Sequence, residues 1–297
     1  MVFKKSSHSH TSLIKKLWNE VFGDSDDYIS RFIAHFGVET GYVCENESEI
    51  VAIAFAVPTL LNSPSNFEGV AAESRRGSLH FIQPLKYVYA CATHPNYRGQ
   101  GVMTNLLATV YQDACNEDYA GIFLHAADPS LANYYRKLGF KDYFFRRQSI
   151  FFNHKEHKDC TKGTNSLRPL RNPLRPLRLN TIPPEQYHKK RIQKLNNSSF
   201  IDWNEDFFRF LNQTGTQFCE YENSIFSFRT ACNNIIVDEL LGDITHEKAA
   251  ALLCEHIPEC EVVNIRSKGE DFCCGQIKWC NTLKNPDKNG WFAFAME

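Results

Sequence analysis

The run Thr93-His94-Pro95-Asn96-Tyr97-Arg98-Gly99-Gln100-Gly101 holds a cation and two glycines in one short turn, and the chemistry it offers is anion binding. Before it, Tyr87–Thr93 alternates aromatic and β-branched residues with small ones, which predicts a strand. Pro95 ends that strand, because proline has no N–H for the ladder. After it, Val102, Leu106, Leu107 and Val110 recur at helical spacing. A glycine-bearing turn that feeds a helix presents unpaired backbone N–H groups at the positive end of the helix dipole, and phosphate is the usual guest. A two-glycine turn alone is equally an ordinary strand–helix connection. The segment Leu131-Ala132-Asn133-Tyr134-Tyr135-Arg136-Lys137-Leu138-Gly139-Phe140 is the second element to weigh with it.

Other reactive side chains form weaker constellations. The 11 cysteines are odd in number, irregularly spaced and without a C-x-x-C pair, so reduced thiols rather than a disulfide framework are expected. His154, His157 and Cys160 are three apart, but they sit in a polar, lysine-rich stretch without a fourth partner, and no metal is expected. His125 and Asp128 follow an apolar run, and Tyr89 and His94 flank the strand residues Cys91–Thr93 that precede the glycine turn. Each reads more readily as structural than as a general base. Asp24, Asp26, Asp27, Glu39, Glu68 and Glu73 could greet a cationic substrate, with solvated surface as their default.

The elements that must position these residues alternate. Residues 11–22 predict an amphipathic helix stopped by Gly23, and Asp24 or Ser25 can cap a second helix carrying Tyr28, Ile29, Phe32, Ile33 and Phe36. A strand near Tyr42–Glu45 leads to the apolar run Ile50–Val57. Residues 62–78 read as a loop, with a short strand near Ser78–Ile82. Ile122–Ala126 predicts a buried strand. Asp128-Pro129-Ser130 opens a helix that Gly139 ends, and Tyr143–Phe152 is a further strand. This alternation argues an α/β fold with a mixed central sheet flanked by helices.

Composition shifts over residues 154–180, a basic linker with Pro169, Pro173 and Pro176 among arginines. The chain then restarts. Helices are expected at 184–196 and 203–212, and a further one is capped by Thr245. Strands are expected near Gln217–Tyr221, Ser224–Arg229, Ile235–Leu240, Glu261–Ile265, Gly275–Cys280 and Trp291–Met296. The expected division is therefore 1–153, a linker over 154–180, and 181–297. With 43% apolar residues, 23% charged and a formal net charge of −1, the chain exerts no global pull on nucleic acid or anionic membrane. No apolar run approaches membrane-spanning length, and no signal-peptide core opens the chain, so a cytoplasmic setting is expected.

The first half resembles the GNAT-type N-acetyltransferases. Arg98-x-x-Gly101-x-Met103 is similar to their acyl-CoA signature, and Tyr135-x-x-x-Gly139-Phe140 is similar to their second motif. The large Met103 moves the resemblance toward tandem members of the enhanced-intracellular-survival type, which carry a second, degenerate acetyltransferase-like domain. The third, sterol-carrier-like domain of their larger members finds no room here. The resemblance implies the acyl-CoA N-acyltransferase fold followed by a degenerate α+β copy. It implies acetyl-CoA as co-substrate, held by Cys91, Ala92, Thr93, Arg98, Gly99, Gln100, Gly101, Val102, Met103 and Thr104, with Ser130 and Leu131 at the next helix start. The pantetheine arm would pair with backbone of Cys91–Thr93 in the manner of an added strand. Direct attack by a primary amine of a small molecule or peptide is implied, with Tyr135 as general acid and the chain-terminal carboxylate of Glu297 as a candidate base. Two other readings stay open: a catalytically idle acyl-CoA-binding regulator, and an aminoacyltransferase drawing on tRNA through the basic stretch at 168–194. The implied partners are acetyl-CoA and an amine, with no membrane or nucleic acid, and a homo-oligomer is possible.

Overall fold

The computed structural model describes residues 1–64, 80–153, 179–280 and 290–294. In chain order the regular elements are β1 (Val2–Lys5), α1 (Thr11–Phe22), α2 (Asp26–Phe36), β2 (Gly41–Asn46), β3 (Glu49–Pro64), β4 (His80–Thr93), α3 (Val102–Asn116), β5 (Gly121–Leu124), α4 (Pro129–Lys137) and β6 (Lys141–Phe152). Then follow β7 (Asn180–Thr181), α5 (Pro184–Leu195), β8 (Phe200–Asp202), α6 (Glu205–Gln213), β9 (Gln217–Tyr221), β10 (Ser224–Ala231), β11 (Asn234–Leu241), α7 (His246–His256), β12 (Val262–Lys268) and β13 (Phe272–Trp279). The residues form two compact units. The first joins Met1–Phe144 to Ser198–Trp203 and to the last stretch of the chain from Cys273. The second holds Phe145–Asn197 and Asn204–Phe272.

The first unit is a mixed sheet in the order β1-β2-β3-β4-β5-β13, with β8 beside β3. All its neighbours run antiparallel except β4 and β5, which run parallel around the α3 crossover. Local sequence explains the helices that cover it. Gly23 adopts φ 75° at the end of α1, and its N–H returns to the Asn19 carbonyl. The Ser25 hydroxyl accepts the Tyr28 N–H and starts α2. One sheet face meets α1 and α2 through Trp18, Phe32, Phe55 and Tyr89. The other is a buried core of Ala52, Ala54, Val88, Val102, Leu106, Leu107, Val110, Leu124 and Tyr135 beneath α3 and α4.

The second unit repeats that plan. Its sheet order is β7-β9-β10-β11-β12-β6, again antiparallel except for one parallel pair, β11 and β12, joined by the α7 crossover. A buried pair, Arg191 with Glu239, lies within it, and the Tyr187 hydroxyl donates to the same carboxylate at 2.8 Å.

The structure departs from the sequence expectations in several places. The strand expected at Ile50–Val57 runs on to Pro64, and the described part of the short strand expected near Ser78–Ile82, from His80 on, is one piece with the strand after it. Pro58 and Pro84 fall within these strands and are tolerated because β2 reaches only Phe55 of β3, and β5 pairs with β4 only from Leu85 onward. Of the strand expected at Trp291–Met296, the described residues, 290–294, show only bridges at Gly290 and Trp291. Residues 198–203 and the stretch from Cys273, expected with the second half, group with the first unit, because β13 lies antiparallel to β5. Strands β1, β7 and β8 are too short for a period to show in sequence.

Candidate acyl-CoA site

The site grows from the place where β4 outruns β5. Their parallel register runs from Leu85–Gly121 to Val88–Leu124 and stops, while β4 continues through Tyr89 to Thr93. Beyond Val88, the outer edge of β4 faces no strand among the described residues. Its backbone groups there are open to a ligand that pairs like a strand.

The same place carries a bulge. Tyr89 pairs with Phe55, yet Ala92 pairs with Ile53, so Ala90 and Cys91 together oppose Ala54. Ala90 adopts φ 51°, a left-handed conformation that costs an L-residue roughly 1–2 kcal/mol. The bulge reverses the alternation. Tyr89 packs on Trp18 and Phe32, with ring centroids 5.7 and 5.3 Å apart, on the α1–α2 face. Cys91 instead packs with Val88 on the α3–α4 face. Without the extra residue Cys91 would share the face of Tyr89.

The bulge brings Cys91 onto the face where Tyr135 lies, and both side chains belong to one buried cluster. Burial holds the Tyr135 hydroxyl well above the ordinary tyrosine range and pushes the Cys91 thiol up to about 12. Both groups are therefore protonated at neutral pH. A buried, protonated phenol at the open edge of β4 can donate a proton. Its neighbour Tyr134 has another task, a bond of 3.0 Å between its hydroxyl and Thr104 Oγ1 that ties α4 to the first turn of α3.

That first turn lies just beyond the end of β4. Gly99 and Gly101 both take φ 75°, and an added Cβ at either would meet nothing within 4 Å. Their need for glycine is conformational, and the space before them is open. No side chain caps α3 and no acidic residue stands in its first turn, so the N–H groups of Val102, Met103 and Thr104 carry the dipole outward uncompensated. Braces hold the turn. Arg98 Nε donates to the Thr93 carbonyl at 3.1 Å, and Gln100 Nε2 to the Asn96 carbonyl at 2.9 Å. Met103 packs against the core, which takes its side chain away from the open space.

Other expected residues land as follows. Ser130 and Leu131 open α4, but both N–H groups are spent on Asp128 Oδ1, at 2.7 and 2.9 Å. What they can offer a ligand is the Ser130 hydroxyl and the exposed Leu131 side chain. Asp128 is thus a helix cap. His94 Nδ1 accepts the Asn96 N–H at 3.3 Å, and its Nε2 lies 3.4 Å from Glu20. His125 Nδ1 lies 2.6 Å from the Cys274 carbonyl at the edge of β13. Glu297, Glu68, Glu73, His154, His157, Cys160 and the arginines of 168–178 lie outside the described residues. No group of three potential metal ligands occurs among the described residues, and no helix there is long and apolar enough to cross a membrane. The bulge was invisible in sequence, since Ala90 is neither glycine nor asparagine.

Residues 38–142 match the family model described as an acetyltransferase (GNAT) domain, a span that contains β4, α3 and α4. No curated protein matches the chain. Solved structures match nearly all of it. A GCN5-related N-acetyltransferase from Kribbella flavida superposes with a TM-score of 0.64 at 13% identity, covering 94% of this chain and 70% of that one. Eis1 from Mycobacterium abscessus gives 0.61 at 11% identity, covering 95% and 74%. A putative acetyltransferase from Pyrococcus horikoshii gives 0.56 at 9%, covering 97% and 92%. At such identities the likeness establishes the fold, and the chain has that of the GNAT acetyltransferases.

Proposed function

We propose that this chain is an acetyl-CoA-dependent N-acetyltransferase that transfers the acetyl group to a primary amine by direct attack on the thioester. The observation that carries the reading is the open edge of β4 beyond Val88, set beside the uncapped first turn of α3. An acyl-CoA is the ligand that needs both, because its amide-bearing arm can pair with a strand edge while its pyrophosphate takes backbone N–H groups at a helix start. The N–H groups of Val102, Met103 and Thr104 hold the pyrophosphate, with Gly99 and Gly101 giving clearance and Arg98 and Gln100 bracing the turn. Backbone of Cys91, Ala92 and Thr93 takes the arm and polarises the thioester carbonyl. The Ser130 hydroxyl and the Leu131 side chain flank it.

Tyr135 is the general acid. Its hydroxyl keeps its proton at neutral pH and gives it to the departing sulfur. Cys91, pushed up to about 12 by burial, is no nucleophile at neutral pH, which favours direct transfer over an acyl-enzyme.

The second unit serves as a degenerate copy without its own cofactor. At the start of its counterpart helix α7 the Thr245 side chain caps the Lys248 N–H and Glu247 stands in the first turn. The cap occupies an N–H that an anion would need, and the Glu247 carboxylate repels an anion. One acetyl-CoA per chain is expected.

Thermal stabilisation by acetyl-CoA, and thiol release in the presence of a primary amine, test the proposal. Absence of any stabilisation at millimolar acetyl-CoA would overturn it. Steeply salt-dependent binding of tRNA without binding of acetyl-CoA would favour the tRNA-dependent alternative.

A further inference from the structure

Resting on that reading, we infer that the hydroxyl pair Tyr89–Tyr28 receives the proton of the attacking amine and that it marks the acceptor side of the site. Tyr89 is the first residue of β4 beyond its last pair with β5, so it borders the opened edge. The bulge after it puts Tyr89 on the α1–α2 face and Cys91 on the α3–α4 face with Tyr135. Nucleophile and leaving group occupy different positions around the carbonyl carbon. With the proton donor for sulfur on one face of the strand, a polar group on the other face at the same position is placed for the nitrogen.

Tyr89 is suited to that place. Its ring is held by Trp18, Phe32 and Tyr87, so the hydroxyl has a fixed position. Its oxygen lies 3.0 Å from the hydroxyl of Tyr28, which is half-buried on α2. The turn that precedes α2 supplies Asp24, whose Oδ2 accepts the Trp18 indole N–H at 2.8 Å and whose carbonyl accepts from Asn19. The titratable groups that act most on Tyr89 are Tyr28 from α2, Tyr87 from its own strand and Asp24 from the α1–α2 turn. The one negative charge in this set favours a proton, and a cationic amine, on this side.

The step balances as follows. The nitrogen of a neutral amine bonds to the carbonyl carbon, and the carbon–sulfur bond breaks with its electron pair on sulfur. Sulfur takes a proton from Tyr135. Nitrogen gives one to Tyr89 as Tyr89 passes its own to Tyr28, and Tyr28 passes its own to water. Water restores the proton of Tyr135. Tyr89 touches the amine and is the catalytic member, whereas Tyr28 acts through it.

The test uses the full chain, Tyr89→Phe, Tyr28→Phe and the double variant. Thiol release from acetyl-CoA is followed with a polyamine, an aromatic ethylamine and a lysine-bearing peptide, and acetyl-CoA binding is measured in parallel by titration. Removal of a general acid–base group typically lowers a rate about 10²–10⁴-fold. Tyr89→Phe is expected to lose at least about 10²-fold in kcat, the low end of such effects, with the Kd for acetyl-CoA unchanged. Tyr28→Phe is expected to lose less, and the double variant no more than Tyr89→Phe alone, because the two act in one chain. Wild-type turnover in Tyr89→Phe, or losses that multiply in the double variant, overturn the inference while the acetyltransferase reading stands. A wild-type chain that neither binds nor consumes acetyl-CoA overturns both. Retention of the ring keeps the aromatic packing, and an unchanged melting temperature confirms that a loss is chemical.

Discussion

Gly101→Ala separates ligand approach from backbone strain, because the chain supplies its own control. Gly101 and Gly23 both adopt φ 75°, and at both an added Cβ meets nothing within 4 Å. Alanine in that conformation costs roughly 1–2 kcal/mol, of which about 0.4–1 kcal/mol is offset by a stiffer unfolded chain. Gly101→Ala and Gly23→Ala should therefore lower the melting temperature of the free protein alike, by about 2–4 °C. They should differ when acetyl-CoA is added. Gly23 ends α1, whereas Gly101 orients the peptide that begins α3 and its methyl would occupy the space a pyrophosphate needs. Loss of one hydrogen bond to a charged group costs about 1.5–3 kcal/mol, which weakens binding about 10- to 150-fold. At a concentration 100 times the wild-type Kd, acetyl-CoA stabilises wild type by about 2.7 kcal/mol, and a hundredfold weaker variant by only about 0.4 kcal/mol. Differential scanning fluorimetry across an acetyl-CoA titration measures this. If Gly101→Ala responds to acetyl-CoA as fully as Gly23→Ala does, the α3 turn is not the phosphate site.

Further outcomes follow from individual groups. Tyr135→Phe keeps the buried ring and removes the proton donor, so kcat should drop about 10²-fold or more while acetyl-CoA binding holds; stopped-flow thiol release checks this, and an unchanged kcat removes Tyr135 from the chemistry. Glu239→Gln removes the carboxylate charge that pairs with buried Arg191 and should destabilise the second unit by about 3–5 kcal/mol, read by urea unfolding. Tyr135 and Tyr187 titrate above their unfolded values because burial disfavours the phenolate. Their contribution to stability is therefore whole below the unfolded tyrosine pKa of about 10 and is lost as pH rises from there toward the folded values. Melting temperature should fall above about pH 10, less steeply in Tyr135→Phe, and an equal slope in both proteins would refute that source.

What was legible in the sequence was local. The helical spacing of Val102, Leu106, Leu107 and Val110 reports one buried face, and that face packs in the structure on the core below α3. Ser25 and Asp128 cap the helices that follow them, because a short oxygen-bearing side chain reaches a free N–H only one turn away. Gly99 and Gly101 read as a turn for the same reason, a backbone conformation that side chains disfavour.

Tertiary structure decided everything that depends on distant pairing. The length over which β4 keeps β5 company, and so the open edge beyond Val88, is set by where two strands far apart in sequence stop hydrogen-bonding. Strand β13, from the end of the chain, completes the sheet beside β5, and no periodicity could assign it there. Motif order pointed to Tyr135 over Tyr134, but their surroundings, the buried cluster with Cys91 for one and the Thr104 hydroxyl for the other, follow from packing between elements. The bulge at Ala90 is the plainest case. One extra residue turns Cys91 toward Tyr135 and leaves Tyr89 with Tyr28, because alternation along a strand reverses wherever two residues oppose one.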